Sequence, residues 1–247
     1  MNDARTGGDT GTLYLLPVAL GEGTPWPAFL PAQVQAIAAG LRHFVVETAR
    51  AARAHLKQLD YPHPLRETDI RELPADAASS TDAALDALLA PALAGKDVGL
   101  VSDAGCPAVA DPGARLVARA HTLGIRVAPL VGPSSILLGL MGSGLNGQSF
   151  AFHGYLPVNE SERDATLRAL EDESRKLGRT QLFIETPYRN ERMLEALIKQ
   201  LKPASRLCVA CDLTTAGETI LTRSVHDWRK AARPVLAKRP TLFLLLA

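Results

Sequence analysis

Two acidic residues, two glycines and two prolines lie within the twelve residues 102–113, Ser-Asp-Ala-Gly-Cys-Pro-Ala-Val-Ala-Asp-Pro-Gly. This segment follows a short apolar run at 98–101 and precedes a helical pattern at 114–124. Glycine lets a ligand approach the main chain closely, proline stiffens a turn, and open α/β sheets bind ligands beyond the carboxyl ends of their strands. We therefore predict a binding loop here, rather than a turn that only connects a strand to a helix.

Three further segments place polar residues at predicted strand ends. Residues 131–135, Val-Gly-Pro-Ser-Ser, close a strand and open a helix, so the two serines can cap that helix or offer hydroxyl and amide groups to a ligand. Residues 184–189, Ile-Glu-Thr-Pro-Tyr-Arg, are expected to expose an acid, a phenol and a guanidinium group that orient a substrate, or to be a capped helix start. Residues 47–50, Glu-Thr-Ala-Arg, end a strand and are expected at the same rim as the loop 102–113.

The elements that position these segments alternate between strand and helix in the first half of the chain. Strands are predicted at 12–20, 43–48, 97–101 and 125–131, and helices at 31–41, 50–59, 79–93 and 114–124. Ser79 and Asp82 have the spacing of a capping box, and Pro91 is expected to kink or end that helix early. This alternation implies right-handed crossovers and a parallel sheet with both faces covered.

The second half has a different rhythm. Strands are predicted at 149–156, 180–186, 206–214, 218–225 and 241–246, with helices at 162–177 and 190–201. The last strands follow one another closely, which favours antiparallel pairing and a mixed sheet. The chain is therefore predicted to form an N-terminal α/β domain over 1–127 and a C-terminal α/β domain over 128–247.

Composition gives broad limits. Hydrophobic residues make up 47% of the chain and charged residues 21%, as in ordinary soluble globular proteins. The net charge of +1 divides into −3 over residues 1–127 and +4 over 128–247, a bias that could favour an anionic substrate. Three cysteines, an odd number, favour a reducing compartment. The polar start at 1–11 shows no signal peptide and no apolar run is long enough to cross a bilayer, so a cytoplasmic protein is expected.

Two motifs look chemical but are interpreted as structural. Residues 142–147 match the pattern GxGxxG, yet a helical pattern precedes them and a strand follows, the reverse of a dinucleotide site. Cys208 and Cys211 have metal or redox spacing, but residues three apart on a strand point to opposite faces, so both are expected in the core. The six histidines show no ligand spacing, and no metal site is predicted.

Five motifs in order resemble the tetrapyrrole methylase superfamily of S-adenosylmethionine-dependent methyltransferases. They are residues 95–113, 131–135, 143–145 (Ser-Gly-Leu), 152–157 (Phe-His-Gly-Tyr-Leu-Pro) and 185–189. The similarity is greatest to the bacterial branch that methylates a ribose 2′-hydroxyl of 16S ribosomal RNA. It implies two α/β domains, S-adenosylmethionine in the cleft between them, and a homodimer.

The resemblance also implies which residues form the site. The residues expected to line the cofactor cleft are Leu16, Pro17, Asp103, Ala104, Gly105, Cys106, Pro107, Val109, Ser134, Ser135, Glu185, Ala210 and Cys211. A 2′-hydroxyl nucleophile needs an acceptor for its proton, for which Asp103 and Glu47 are the candidates. Arg50 or Arg189 is expected to hold a phosphate or another anion, and Tyr188 with Arg189 to orient the substrate.

Three functions remain open at this stage. The first is an RNA ribose methyltransferase, and the second is a methyltransferase for a small molecule such as a tetrapyrrole. The third is a cofactor-binding protein without activity, because the Glu-Asp-Thr-Arg motif of the ribosomal branch is reduced to Glu47-Thr48-Ala49-Arg50. The expected partners are ribosomal RNA or the small ribosomal subunit, with no membrane.

Overall fold

The computed structural model describes residues 10–21, 23–74 and 81–247. The chain forms two compact units, Met1–Pro133 and Ser134–Ala247, and each contains one five-stranded sheet. The predicted boundary after residue 127 lies inside Arg126–Pro129, the last strand of the first sheet. That strand pairs with the first strand of the chain and so belongs to the first unit.

The first sheet is parallel throughout, as predicted. Its strands are β1 (Thr12–Leu15), β2 (His43–Val46), β3 (Asp69–Glu72), β4 (Val98–Val101) and β5 (Arg126–Pro129). They lie in the order β3-β2-β4-β1-β5. The helices between them are α1 (Ala32–Gly40), α2 (Ala49–Gln58), α3 (Asp82–Leu93) and α4 (Ala114–Thr122), with a 3-10 turn at Trp26–Ala28.

Helices cover both faces of this sheet. Val34 of α1 and Leu56 of α2 pack into one apolar cluster, whereas Leu89 of α3 and Leu116 of α4 pack into another. Strands β2 and β4 are neighbours, yet the helix after β2 lies on one face and the helix after β4 on the other. The two chain paths diverge there and leave a crevice at the carboxyl ends, which is where such sheets bind ligands.

Strand β3 is not predicted from the sequence, because Asp-Ile-Arg-Glu contains a single apolar residue. It lies at the edge of the sheet and pairs with β2 alone. An edge strand has one side exposed to solvent, so polar side chains are compatible with it. Hydrophobic patterning therefore gave no indication of this strand.

Pro91 does not end its helix early, since α3 continues through Pro91 to Leu93. The alternative, a kink at Pro91, stays a prediction. Proline has no amide hydrogen, so the carbonyl of Ala87, four residues earlier, lacks its partner within the helix. The guanidinium group of Arg71 on β3 donates to that carbonyl at 3.1 Å. A side chain from the neighbouring strand thus satisfies the acceptor that the proline leaves open.

The start of α3 also differs from expectation. The helix begins at Asp82, and its cap is Thr81, whose hydroxyl accepts the amide of Ala84 at 3.3 Å. Ser79, the first residue of the predicted capping box, lies outside the described residues. Asp82 instead occupies the first turn, where a negative charge favours the helix.

The second sheet is mixed, as predicted. Its elements are α5 (Ser135–Ser143), β6 (Phe150–Tyr155), α6 (Glu160–Leu177), β7 (Thr180–Ile184), α7 (Asn190–Gln200), β8 (Arg206–Cys211), β9 (Thr219–Ser224), α8 (Val225–Lys230) and β10 (Thr241–Leu246). In the order β6-β7-β10-β8-β9 the first pair is parallel and the other pairs are antiparallel. Within the described residues, no helix combines the length and the apolar character that a membrane span requires.

The GxGxxG match at 142–147 has the structural origin that was predicted. It begins in the last turn of α5 and precedes β6. Gly144 ends the helix in the left-handed conformation, with φ of 66°. A Cβ atom on Gly142 would lie 2.4 Å from Cδ1 of Ile220, so this glycine lets α5 approach β9.

Cys208 and Cys211 are buried core residues on β8, as predicted. Cys211 belongs to the apolar cluster beneath α6, α7 and α8, and Cys208 does not. Burial raises the pKa of both thiols. Among the described residues, no group of three or more His, Cys, Asp or Glu side chains could hold a metal ion.

Candidate active site

The loops after β1, β2 and β4 meet at the crevice in the first unit. Main-chain hydrogen bonds continue past the strand ends, since the Glu47 amide donates to the Val101 carbonyl at 3.0 Å. The Val18 amide donates to the Gly105 carbonyl at 2.9 Å and ties the loop after β1 to the loop after β4. The structure therefore brings Glu47 and the loop 102–113 to one rim.

Asp103 is held at the start of α2. Its Oδ1 accepts the Thr48 hydroxyl at 2.9 Å and the Thr48 amide at 3.2 Å, beside the positive end of the helix dipole. Its amide donates to Oε2 of Glu47 at 3.0 Å, and Nε2 of His55 donates to its carbonyl at 2.9 Å. Among the described residues none donates to Oδ2, so one carboxylate oxygen of Asp103 is available to a ligand.

Asp111 joins these carboxylates, although the sequence analysis left it out of the site. Its carboxyl group hydrogen-bonds with Ser102 and lies within electrostatic reach of Glu47 and Asp103. Burial, followed by the negative charge of Glu47, raises the pKa of Asp111 to about 6, even though the Ser102 hydrogen bond opposes the shift. The sequence shows Asp111 as the second acid of this loop. Only the fold of the loop shows that Asp111 lies near Asp103.

The main chain of this loop adopts left-handed conformations at two alanines. Ala108 has φ of 66° and Ala110 has φ of 63°. Such conformations cost a residue with a Cβ atom about 1 kcal/mol each, and they cluster at binding and catalytic sites. Gly105 and Gly113 also have positive φ, of 67° and 125°, where glycine is suited. The loop path therefore supports the prediction that this segment binds a ligand.

Gly105 is buried, and its carbonyl is already engaged by the Val18 amide. A Cβ atom there would lie 3.1 Å from Cδ2 of Leu20. The next side chain is also engaged, because Sγ of Cys106 donates to the Pro133 carbonyl at 3.3 Å. Burial and then the charge of Asp111 raise the pKa of the Cys106 thiol, which keeps it neutral. The Cys106 side chain is therefore a hydrogen-bonded, neutral group rather than a reactive thiol.

The other cofactor residues predicted in the first unit differ in exposure. Leu16 is buried in the cluster beneath α1 and α2. Pro17 is buried beside Gly132, where a Cβ atom would lie 2.3 Å from the proline ring. Pro107 is buried as well, whereas the Val109 side chain is 49% exposed. Leu16, Pro17 and Pro107 therefore shape the rim from beneath, and Val109 presents its side chain to solvent.

A cavity of about 840 Å³ opens beside the turn of Asp103 and Ala104, wholly within the first unit. Gln58 closes one end of it by donating to the Thr24 carbonyl at 2.6 Å. Arg50 lines this cavity, but of the predicted cofactor residues only Asp103 and Ala104 do so. The lining residues are Ala19, Leu20, Gly21, Gly23, Thr24, Pro25, Thr48, Arg50, Ala51, Ala54, His55, Gln58, Asp103 and Ala104.

In the second unit, Ser134 and Ser135 begin α5. Ser134 occupies the cap position, but its side chain accepts no amide of the helix. Of the two alternatives for these serines, a side-chain cap is therefore contradicted, and hydroxyl or amide contacts with a ligand stay a prediction. The first turn of α5 has amide groups without a side-chain cap, an arrangement suited to an anion.

Glu185 is buried, contrary to the expectation that the turn after β7 exposes it. The reason is an ion pair in which one carboxylate oxygen accepts two guanidinium nitrogens, since Oε1 of Glu185 accepts Nη2 of Arg189 at 2.6 Å and Nε at 3.0 Å. The same oxygen accepts the Thr186 amide at 2.6 Å. Of the three residues predicted to be exposed here, Tyr188 alone has a mostly exposed side chain, at 80%. Arg189 is thus engaged at the start of α7.

Ala210 and Cys211 are buried at the carboxyl end of β8. This strand pairs with β10 on one side and β9 on the other, so its main chain is engaged at both edges. The Ala210 side chain faces α5, where a Cβ atom on Gly139 would lie 3.6 Å from it. The two residues therefore form part of the packed sheet.

Comparison with known proteins identifies the family. The profile of the Tetrapyrrole (Corrin/Porphyrin) Methylases matches residues 33–227, which include the crevice loops after β2 and β4 and most of the second unit. The chain belongs to this family. This result confirms the family resemblance predicted from the five sequence motifs.

Several curated relatives of this family member are named ribosomal RNA small subunit methyltransferase I. The protein of Pseudomonas aeruginosa is 36% identical over 137 residues, which cover 54% of this chain and 47% of the relative. That of Mesorhizobium japonicum is 39% identical over 148 residues, covering 59% and 49%. That of Escherichia coli O157:H7 is 37% identical over 135 residues, covering 55% and 46%. The chain thus spans about half the length of the curated relatives it matches.

Two solved structures share the fold. The methyltransferase CobJ is 20% identical, with a TM-score of 0.60 over 96% of this chain and 94% of that one. Uroporphyrin-III-C-methyltransferase from Thermus thermophilus is 18% identical, with a TM-score of 0.53 over 96% and 92%. At these identities the likeness establishes the fold of the family.

Proposed function

We propose that this chain is an S-adenosylmethionine-dependent methyltransferase that methylates a ribose 2′-hydroxyl of small-subunit ribosomal RNA. The names of the curated relatives support the RNA acceptor, and the family supports methyl transfer. The observation that carries the proposal is the group of three carboxylates, Glu47, Asp103 and Asp111, at the crevice between β2 and β4. We also propose that it works in the cytoplasm as a homodimer, as the family resemblance implies.

The residues at this rim fit the cofactor. S-adenosylmethionine carries a positively charged sulfur, and the acidic group supplies a complementary negative field. Gly105 adds no side chain to this turn, and the Cys106 thiol is held by the Pro133 carbonyl. We therefore propose that the cofactor binds against residues 103–107 in the first unit. The cofactor roles of Ser134, Ser135, Glu185, Ala210 and Cys211 stay predictions of the family resemblance.

When bound, S-adenosylmethionine supplies an electrophilic methyl group, and the protein contributes alignment and acid–base groups. Asp111 is suited to accept the proton of the ribose hydroxyl, because its pKa of about 6 makes it a stronger base than an ordinary carboxylate and leaves it ionised at neutral pH. Asp103 is the second candidate, since its Oδ2 is available. Glu47 holds the Asp103 amide and adds the charge that raises the pKa of Asp111.

Two measurements test this function. Calorimetry with S-adenosylmethionine is expected to show binding at one site per chain. Incubation of labelled cofactor with undermethylated small ribosomal subunits is expected to transfer label to the 16S RNA, at a position that mass spectrometry assigns to a ribose. Binding of cofactor without transfer to RNA would refute the ribosomal acceptor, and transfer to a tetrapyrrole would replace it.

A further inference from the structure

Helix α2 carries a row of cations on its solvent side. Arg50, Arg53 and Lys57 follow at spacings of three and four residues, which places them on one face. All three are exposed, whereas Ala52 and Leu56 of the same helix are buried against the sheet. The row extends about 10 Å along the helix axis. We call these three residues the basic row.

No residue in the described ranges forms an ion pair with the basic row. By contrast, Arg71 and Arg119 of the same unit each pair with an aspartate. Like charges at these helical spacings repel one another by about 0.2–0.5 kcal/mol per pair. Bound polyanion would remove that repulsion, which makes the row complementary to phosphates.

The basic row borders the cavity described above. Arg50 belongs to both, and Ala54 and Gln58, on the same side of α2, line the cavity between and beside the other cations. Small side chains at Ala51 and Ala54 leave room against the helix. The cavity volume, about 840 Å³, lies within the usual range of ligand pockets.

The cavity reaches the acidic rim only through Asp103 and Ala104. Gly105 and the residues that follow it in the loop do not line the cavity. Asp103 therefore stands between a segment suited to the cofactor and a separate pocket of polar and small residues. Such an arrangement suits two ligands that must meet at one carboxylate.

Resting on the proposed function, we propose that this cavity is the acceptor subsite: it receives one unpaired nucleotide of RNA, while Arg50, Arg53 and Lys57 bind the adjoining phosphates. A nucleotide within a duplex cannot enter a pocket, so enzymes that act on one nucleotide take it out of the stack or use single strands. Phosphates then hold the strand in register along α2.

Binding of RNA tests the basic row without any turnover. The probe is a fluorescein-labelled single-stranded RNA 12-mer, followed by anisotropy at several salt concentrations. The double variant Arg53→Ala/Lys57→Ala is expected to bind about tenfold more weakly, with the slope of log K against log salt reduced by about 1.4. The matched control is Arg42→Ala/Lys96→Ala, which removes two exposed cations at the amino ends of β2 and β4.

Equal losses in the two double variants, or wild-type binding by Arg53→Ala/Lys57→Ala, would overturn the assignment of the row. A small polycarboxylate is added as a competitor. If it displaces the RNA from wild type but not from the variant, the ligand of the basic row is a small anion rather than RNA. A wild-type protein that binds RNA through the row but never methylates it would instead refute the proposed function.

The pocket is tested by filling it. Ala54 is exposed on α2, so Ala54→Trp is compatible with the helix and occupies the cavity. Methyl transfer to small subunits is expected to fall at least tenfold, while the Kd for S-adenosylmethionine and the salt slope of RNA binding stay at wild-type values. Unchanged transfer would show that the acceptor nucleotide binds elsewhere.

Discussion

The variant Asp111→Asn measures how much the charge of Asp111 destabilises the folded protein. It also tests, in a separate assay, the proposed role of Asp111 as a base. The folded protein raises the pKa of this carboxyl to about 6 from an ordinary value of 3.8. In the unfolded chain the group ionises first, so between about pH 4 and pH 6 the native state binds more protons. Stability from this group is therefore present at low pH and is lost as the pH rises through that window.

The size of the effect follows from the shift. A rise of the pKa from 3.8 to about 6 would correspond to about 3 kcal/mol at pH 8 for a fully buried group. Asp111 is only partly buried, so solvent screening reduces the effect to about 1–2 kcal/mol. Asparagine is neutral and avoids this cost. We therefore expect Asp111→Asn to be about 1–2 kcal/mol more stable than wild type at pH 8, and nearly equal to it at pH 4.

The assay is urea unfolding of both proteins at pH 4 and pH 8, followed by circular dichroism. Asp86→Asn is the control of opposite sign, because the hydrogen bond from Arg119 lowers the pKa of Asp86. The reasoning is refuted if Asp111→Asn is no more stable than wild type at pH 8, or if the difference is the same at both pH values.

The same variant tests the proposed base. Asp111→Asn is expected to lose methyl transfer by at least a factor of about 100, the usual contribution of a general base, while still binding S-adenosylmethionine. For wild type, kcat/KM is expected to fall as the pH drops below about 6, where Asp111 becomes protonated. Full activity of the variant would remove Asp111 from the chemistry.

Three further changes probe the rim and the second unit. Asp103→Ala removes both hydrogen bonds from Thr48 and is expected to abolish turnover or cofactor binding while circular dichroism shows an intact fold; unchanged activity would exclude Asp103 from the site. Gly105→Ala forces alanine into a φ of 67° and is expected to cost about 1 kcal/mol in unfolding free energy and to weaken cofactor binding in calorimetry. Arg189→Ala leaves the buried Glu185 carboxylate unpaired and is expected to cost about 2–4 kcal/mol in urea unfolding. Adding Glu185→Gln should recover most of that loss, and a double variant as unstable as the single would contradict this explanation.

Much of the fold followed from the sequence because apolar periodicity decides it. The runs at β1, β2 and β4 are largely apolar since both faces of a parallel sheet are covered. Strand β3 was missed because an edge strand needs few apolar residues. The effect of Pro91 on its helix depends on whether another group donates to the carbonyl four residues earlier. The local sequence does not show that Arg71 lies close enough to do so.

In the candidate site, the sequence could place only the residues that directly follow a predicted strand. Glu47 and Asp103 could be placed on one rim because the carboxyl ends of parallel strands meet at one edge. Asp111 could not be assigned, since its role depends on a loop that passes through two left-handed alanines before it returns. The exposure expected of Glu185 was wrong because the sequence does not show a partner four residues on closing over it.

The bond between the Val18 amide and the Gly105 carbonyl couples two walls of the crevice. Residues 19–21 and 23–25, which follow Val18, form one side of the cavity, and Gly105 belongs to the proposed cofactor segment. A ligand that orders Gly105 therefore also restricts the cavity wall on the other side of this hydrogen bond. A second ligand that binds that wall then loses less conformational entropy. Such coupling is reciprocal, so each ligand should tighten the other, and the kinetics should show synergism between the two substrates.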